Sequence, residues 1–334
     1  MARLAAVLTV LAASPALAAP KGPQILTEDV TRFYEVYEAH GGHPGAEVLD
    51  RDYLAPGTAG LHEFMGLRNV SGATIARAID AHPEVYENAR KCLAVLPNVT
   101  RRLAADFAKL ARIYPEAKFP PVTLVVGRTR PVGITNPSGV TIGLEALCAA
   151  DFMNPDAEDR FVHVAAHEYG HIQQEGPVAT VDVGQPGATV LTMSLMEGAA
   201  EFTAELISGD VSNQAQRAWA RGREAEIEQA FVRDEDKTDL SAWMYNGPGD
   251  AAHPGDLGYW VGYRIVKAYY DQAPNKHQAL LDIFRMTDAK AFLTRSGWKP
   301  AGSRPGGSPS PRKPRPPPPT APCPSRCLTH RPQF

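Results

Sequence analysis

Apolar residues recur at intervals of three and four along most of the chain, which is the period of a helix that buries one face. Val30, Phe33, Tyr34 and Tyr37 form one such stripe, and Leu103, Phe107, Leu110 and Ile113 form another. Residues 26 to about 116 are therefore predicted to be helical. The pattern then shifts. VTLVVG at 122–127 and GVTIGL at 139–144 are short β-branched runs with glycines at their ends, which predict two strands separated by a turn over residues 135–139. Helical spacing resumes with Asn154 as the expected N-cap, Pro155 in the first position and Asp156, Glu158 and Asp159 in the first turn, where carboxylates oppose the positive end of the helix dipole. That helix runs through Phe161, Val164, Ala165 and Tyr169 toward Gly176. Further helices are expected over 189–209, 258–270 and 277–285, and no internal repeat is visible. The expected fold class is α+β, predominantly helical, with one small β-sheet beside the helix at 154–176.

The two ends change the domain picture. MARLAAVLTVLAASPALAAP places one arginine before a short apolar run and small residues, the pattern of a secretory signal cut after Ala18. The run is shorter than the roughly twenty apolar residues a membrane span needs. The mature protein is expected to be exported, periplasmic or secreted, without stable membrane insertion. Residues 299–334 are rich in proline, which disfavours both helix and sheet, and hold too few apolar residues to offset the entropy of ordering. The expected organisation is a signal peptide at 1–18, a helical N-terminal subdomain at 19–116, a second domain at 117–298 and a disordered tail at 299–334. The tail reads as a non-functional extension before it reads as a groove-binding PxxP ligand. Its abrupt onset after Trp298 also fits a shifted reading frame.

Charge excludes one class. The chain carries a formal net charge of −3, yet every charged residue of the tail, from Lys299 to Arg331, is basic. The rest of the chain is thus distinctly acidic, whereas a nucleic-acid binder needs a basic face to neutralise phosphates. Cys92 and Cys148 fit either a disulfide, which an oxidising compartment permits, or two buried thiols. Cys323 and Cys327, with His330 nearby, resemble half of a metal knuckle without its second pair, and no metal is expected there.

The candidate chemistry lies at VAAHEYGHIQQEG. On a helix, His167 and His171 share one face and can offer two imidazole nitrogens to one ion, with Glu168 turned beside it, where a base for an activated water belongs. A catalytic zinc takes a third protein ligand. A metzincin pattern would need glycine at 174 and histidine at 177, where the chain has Gln174 and Pro177. The helix at 189–209 instead offers Glu197, Glu201 and Glu205 at four-residue spacing. Such acids ordinarily face solvent, but Leu191, Met193, Leu195, Met196, Ala199, Ala200 and Phe202 leave little of this helix polar. A buried carboxylate needs a cation or hydrogen bonds. His163, one turn before His167, reads as a packing or supporting histidine, and Asp182 as a surface acid. The Asn98-Val99-Thr100 triplet is a glycosylation acceptor only in a eukaryotic secretory path.

HEYGH followed by MEGAAEF resembles the gluzincin metallopeptidases, and the chain is more narrowly similar to an uncharacterised bacterial family of predicted exported zinc-dependent proteases. The narrower similarity rests on FYEVYE, YLAPGTAGL, VVG, EGAAEF, LGYWVGYRIV and RSGW, and spans most of residues 27–298. The resemblance implies a zincin-like catalytic domain over 117–298. It implies one Zn2+ per chain on His167, His171 and Glu197, with Glu201 orienting a ligand histidine and Glu168 as general base in hydrolysis of a peptide or protein substrate. It also implies an oxyanion donor in a Y-x-x-G element, matched by Tyr259 with Gly262. Tyr263 competes for that role, His253 is a weaker candidate, and a plain core role for these aromatics remains open at this level. Two other function classes fit the same residues: a binding or scaffolding protein that holds zinc structurally, and a zinc hydrolase of a non-peptide amide or ester.

Overall fold

The computed structural model describes residues 23–130, 132–209, 214–247, 249–250 and 254–302. The expected signal at 1–18, nearly all of the expected disordered tail, His253, Cys323, Cys327 and His330 lie outside the described residues.

Helices α1 (Glu28–Ala39), α2 (Ala46–Val48), α3 (Ala59–Arg68), α4 (Gly72–Ala81), α5 (Pro83–Cys92) and α6 (Leu96–Ile113) precede the main strands. Local chemistry sets their starts. The Thr58 side chain accepts from Leu61 N to cap α3, Ser71 and Thr74 form a reciprocal capping box on α4, and Pro83 opens α5 where its missing N–H costs nothing. The predicted stripe Val30, Phe33, Tyr34 and Tyr37 is the buried face of α1, and Leu103, Phe107 and Leu110 are buried on α6.

The sheet has four strands: β1 (Ile25–Leu26), β2 (Val122–Val125), β3 (Gly133–Asn136) and β4 (Gly139–Gly143), in the order β1-β2-β4-β3. β1 pairs parallel with β2 and β2 parallel with β4, whereas β3 runs antiparallel to β4, with Asn136 opposite Gly139. β2 and β4 are buried throughout. β3 forms where the sequence predicted the start of a turn. Ile134 and Asn136 point inward and Thr135 outward, so pairing with β4 extends the strand through Asn136 and confines the turn to Pro137 and Ser138. The Asn136 side chain accepts from Ser138 N at 3.1 Å and closes that turn.

Beyond the sheet come α7 (Leu144–Ala149), α8 (Ala157–Gln173), α9 (Val190–Ser208), α10 (Gln214–Ala220), α11 (Glu224–Asp234), α12 (Leu257–Gln272), α13 (Lys276–Phe284) and α14 (Ala289–Arg295). α8 starts later than expected. Asp156, not Asn154, is its N-cap, accepting from Asp159 N at 2.9 Å, while Asn154 accepts from Asp156 N and shapes the approach. α9 begins at the Thr189 cap and stops at Gly209, whose φ of +77° is the left-handed geometry of a helix end. The architecture is therefore α+β, predominantly helical with a small mixed sheet, and one buried apolar cluster runs from Val30 to Trp298.

Three long-range ties fasten these elements. Cys92 and Cys148 form a disulfide between α5 and α7 across a sequence separation of 56. Buried Glu228 on α11 accepts from Arg264 Nε on α12 at 2.5 Å and from Ala301 N at 2.6 Å. A side-chain carbon on Gly262 would lie 1.7 Å from Ser194 O, and one on Gly198 would lie 2.1 Å from Gly262 C, so α9 and α12 touch backbone to backbone. Among the described residues, no helix is long and apolar enough to cross a membrane.

Candidate metal centre

α8 sets His163, His167 and His171 one turn apart on a single face. α9 brings Glu197 and Glu201 against them, and both carboxylates are buried. The helices approach this closely because Gly170 carries no side chain toward the backbone of Ala200. Short glutamate arms then reach the imidazoles directly.

His167 Nε2 and His171 Nε2 lie 3.2 Å apart, and each lies 3.3 Å from Glu197 Oε2. Zinc bonds of about 2.0–2.1 Å at tetrahedral angles separate neighbouring ligand atoms by about 3.3–3.4 Å. The triangle of two nitrogens and one oxygen therefore fits a zinc ion in both donor type and spacing. Around it, Glu201 Oε1 lies 3.1 Å from His167 Nδ1, and Glu201 Oε2 lies 3.3 Å from His163 Nε2. Gln174 Oε1 faces His171 Nδ1 at 3.4 Å, and the same amide donates to Met196 O at 2.8 Å. The second nitrogen of His171 thus has a hydrogen-bond partner, whereas that of His167 lies beside Glu201 without hydrogen-bond geometry.

The electrostatics couple the carboxylates to the imidazoles. Burial works against charge on Glu197, but the positive potential of His171 and the bonds from both histidines hold its carboxyl far below the usual range. Burial is likewise outweighed at Glu201, by His163 first and then His167. At His167, burial would lower the imidazole, yet Glu197 and Glu201 raise it well above its ordinary value. Two ionised carboxylates thus sit against imidazoles whose protonated form they stabilise, so a metal bound there would displace protons from those rings.

A cleft of about 740 Å³ opens over this cluster, lined on one side by Gly133, Ile134 and Thr135 of β3 and on the other by Tyr245 and Tyr259. Glu168 faces this cleft. Thr135 Oγ1 donates to its Oε2 at 2.9 Å, and Gly133 leaves room for its Oε1, which would lie 3.0 Å from any side-chain carbon there. Tyr259 stacks on the His167 ring, with centroids 6.2 Å apart and planes 23° apart, and its hydroxyl makes no hydrogen bond among the described residues. Tyr263 points elsewhere and donates to Glu205. Asp182 is exposed on the cleft rim. Three contributors escaped the sequence reading: Thr135, Gln174 and Tyr245, whose hydroxyl donates to Glu197 Oε1 at 2.9 Å. Tyr245 stands in a glycine- and proline-rich loop with no periodicity to mark it.

Fold and site together define a predominantly helical α+β protein in which buried His163, Glu197 and Glu201 and half-buried His167 and His171 cluster at the floor of a cleft. Among protein families, that of the gliding motility protein GldB matches residues 212–300. No curated protein and no solved structure matches. The match covers α10 to α14 and leaves α8 and α9 outside it. This overturns the family resemblance drawn from the sequence: the matching family is neither the gluzincin metallopeptidases nor the family of exported zinc-dependent proteases. The physical reason is the brevity of the motifs. HEYGH and MEGAAEF occupy a few positions on two helices, and any fold that packs two such helices can carry them.

Proposed function

We propose that the protein is a zinc-dependent hydrolase of peptide bonds, exported to the cell envelope, with one Zn2+ per chain on His167, His171 and Glu197. The observation that carries this reading is the near-equilateral triangle of ligand atoms with edges of 3.2 to 3.3 Å. Zinc bound there supplies Lewis acidity toward a carbonyl and toward water near neutral pH. Glu168, steadied by Thr135, takes the proton of the attacking water and passes it to the leaving amine. Tyr259, stacked on the His167 ring at the cleft, donates to the oxyanion that develops on the substrate. β3 is paired on one side only, so its open edge accepts an extended peptide by backbone hydrogen bonds. The secretory-type N-terminus supports export to the periplasm or beyond.

The test is elemental mass spectrometry of the full chain, loaded with Zn2+, alongside turnover of a mixed peptide library by the wild type and by Glu168→Gln. About one zinc in both proteins, with turnover in the wild type alone, is expected. A chain that takes up no zinc, or a Glu168→Gln variant as active as the wild type, rejects the proposal. The partial match to a gliding motility protein favours a second reading, an envelope component that uses zinc structurally. In that case zinc is held but no peptide, amide or ester is cleaved, and four protein atoms fill the coordination sphere.

A further inference from the structure

We propose that Tyr245 is the positioning residue for Glu197, and that its hydroxyl fixes which carboxylate oxygen faces the two histidines. The inference rests on the zinc reading above. Glu197 Oε1 accepts the Tyr245 hydroxyl at 2.9 Å, while Oε2 lies 3.3 Å from both His167 Nε2 and His171 Nε2. The two oxygens thus have separate tasks. Without the phenol, Oε1 is free to rotate into the same space as Oε2, and the carboxylate can then offer both oxygens to one ion.

The loop that carries Tyr245 is built to hold it there. Tyr245 has a φ of +55°, a left-handed conformation that is costly for a bulky side chain and persists only where the surroundings enforce it. Asn246 N donates to Asp256 Oδ1 at 3.1 Å, and Asp256 N donates to Asn246 Oδ1 at 2.6 Å. This reciprocal clamp ties the start of the loop to the N-cap of α12, where Asp256 is itself left-handed at a φ of +57°. The Tyr259 ring, one turn into α12, meets the Tyr245 ring edge-on with centroids 6.2 Å apart. Clamp and ring contact leave the phenol aimed at Glu197.

Removing only the hydroxyl tests the assignment. Zn2+ affinity is measured by competition with a chromophoric chelator for the wild type, Tyr245→Phe and Tyr259→Phe, each as the full chain. Visible spectra of the Co2+-loaded proteins report coordination number, and thermal unfolding is recorded without added metal. Tyr245→Phe is expected to bind zinc about 10- to 100-fold more weakly, as for loss of other groups that orient metal ligands. Its Co2+ absorption is expected to weaken as coordination number rises, with unfolding in the absence of metal unchanged. Tyr259→Phe is expected to bind zinc as the wild type does. A Tyr245→Phe variant that binds zinc as tightly as the wild type overturns this assignment alone. So does one that keeps its zinc affinity and loses only kcat, since that outcome makes Tyr245 a donor to substrate. A wild-type chain that takes up no zinc overturns the metal reading and this assignment with it.

Discussion

Gly170 on α8 and Ala200 on α9 meet backbone to backbone: a side-chain carbon at Gly170 would lie 2.6 Å from the Cα of Ala200. The contact falls between the turns that carry His167 and His171. Gly170→Ala must push the helices apart, and overpacking of this kind costs about 1–3 kcal/mol. Because Glu197 reaches its partners at 3.3 Å, even a small shift opens the triangle. Urea unfolding is expected to show the loss of stability, and chelator competition a weakened zinc site.

Glu197 and Glu201 differ in what they touch, so their removal has different costs. Glu197→Ala deletes a candidate ligand, whereas Glu201→Ala deletes the carboxylate between His163 and His167. Zinc affinity is expected to fall further in Glu197→Ala than in Glu201→Ala, with the latter losing about 10- to 100-fold. The reverse order, measured by the same competition, would place the ligand one turn further along α9.

Asp106 on α6 makes stability depend on pH. Burial raises its carboxyl to about 6, against the smaller pull of Arg102 and Lys109, and its Oδ2 has no hydrogen-bond partner among the described residues. A folded state that holds this proton more tightly than the unfolded chain is penalised as pH rises from about 4 to about 6, and the penalty is complete above that. The carboxyl is only half-buried, so solvent screening reduces the effect to the order of 1 kcal/mol. Asp106→Asn is expected to raise Tm by about 2–4 °C at pH 7.5 and to gain progressively less as pH approaches 4. Thermal unfolding across that range checks the sign.

The disulfide closes a long loop. For a sequence separation of 56, the chain-entropy relation assigns it about 4 kcal/mol. The Cys92→Ser, Cys148→Ser double variant is expected to unfold at a lower temperature than the oxidised wild type. Addition of a reductant should bring the wild type close to the variant and leave the variant unchanged.

Much of this architecture is legible from periodicity. The helix stripes of α1, α6, α8 and α9 are long enough to declare themselves, and the spacing in HEYGH and MEGAAEF places four of the cluster's side chains on the faces where they lie. β3 is harder to read. It is four residues long, contains Gly133 and Asn136, and exists because β4 pairs with it. Tyr245 is separated from Glu197 by 48 residues, and nothing local in YNGPGD records that contact. Family is the third case: shared short motifs suggested one kinship, while the family match lies in α10 to α14, a region where the sequence pattern predicted only α12 and α13.

The buried carboxylate of Glu228 has a consequence for how the polypeptide is completed. One of its oxygens is met by Arg264 and the other by the amide of Ala301, so a chain shortened to end at Trp298 strands half of an ion in a dry interior. During synthesis, the same oxygen waits for its partner until Ala301 has emerged. The C-terminal segment around Ala301 therefore acts as the latch of α11 and α12, and protease susceptibility at those helices would report whether it is shut.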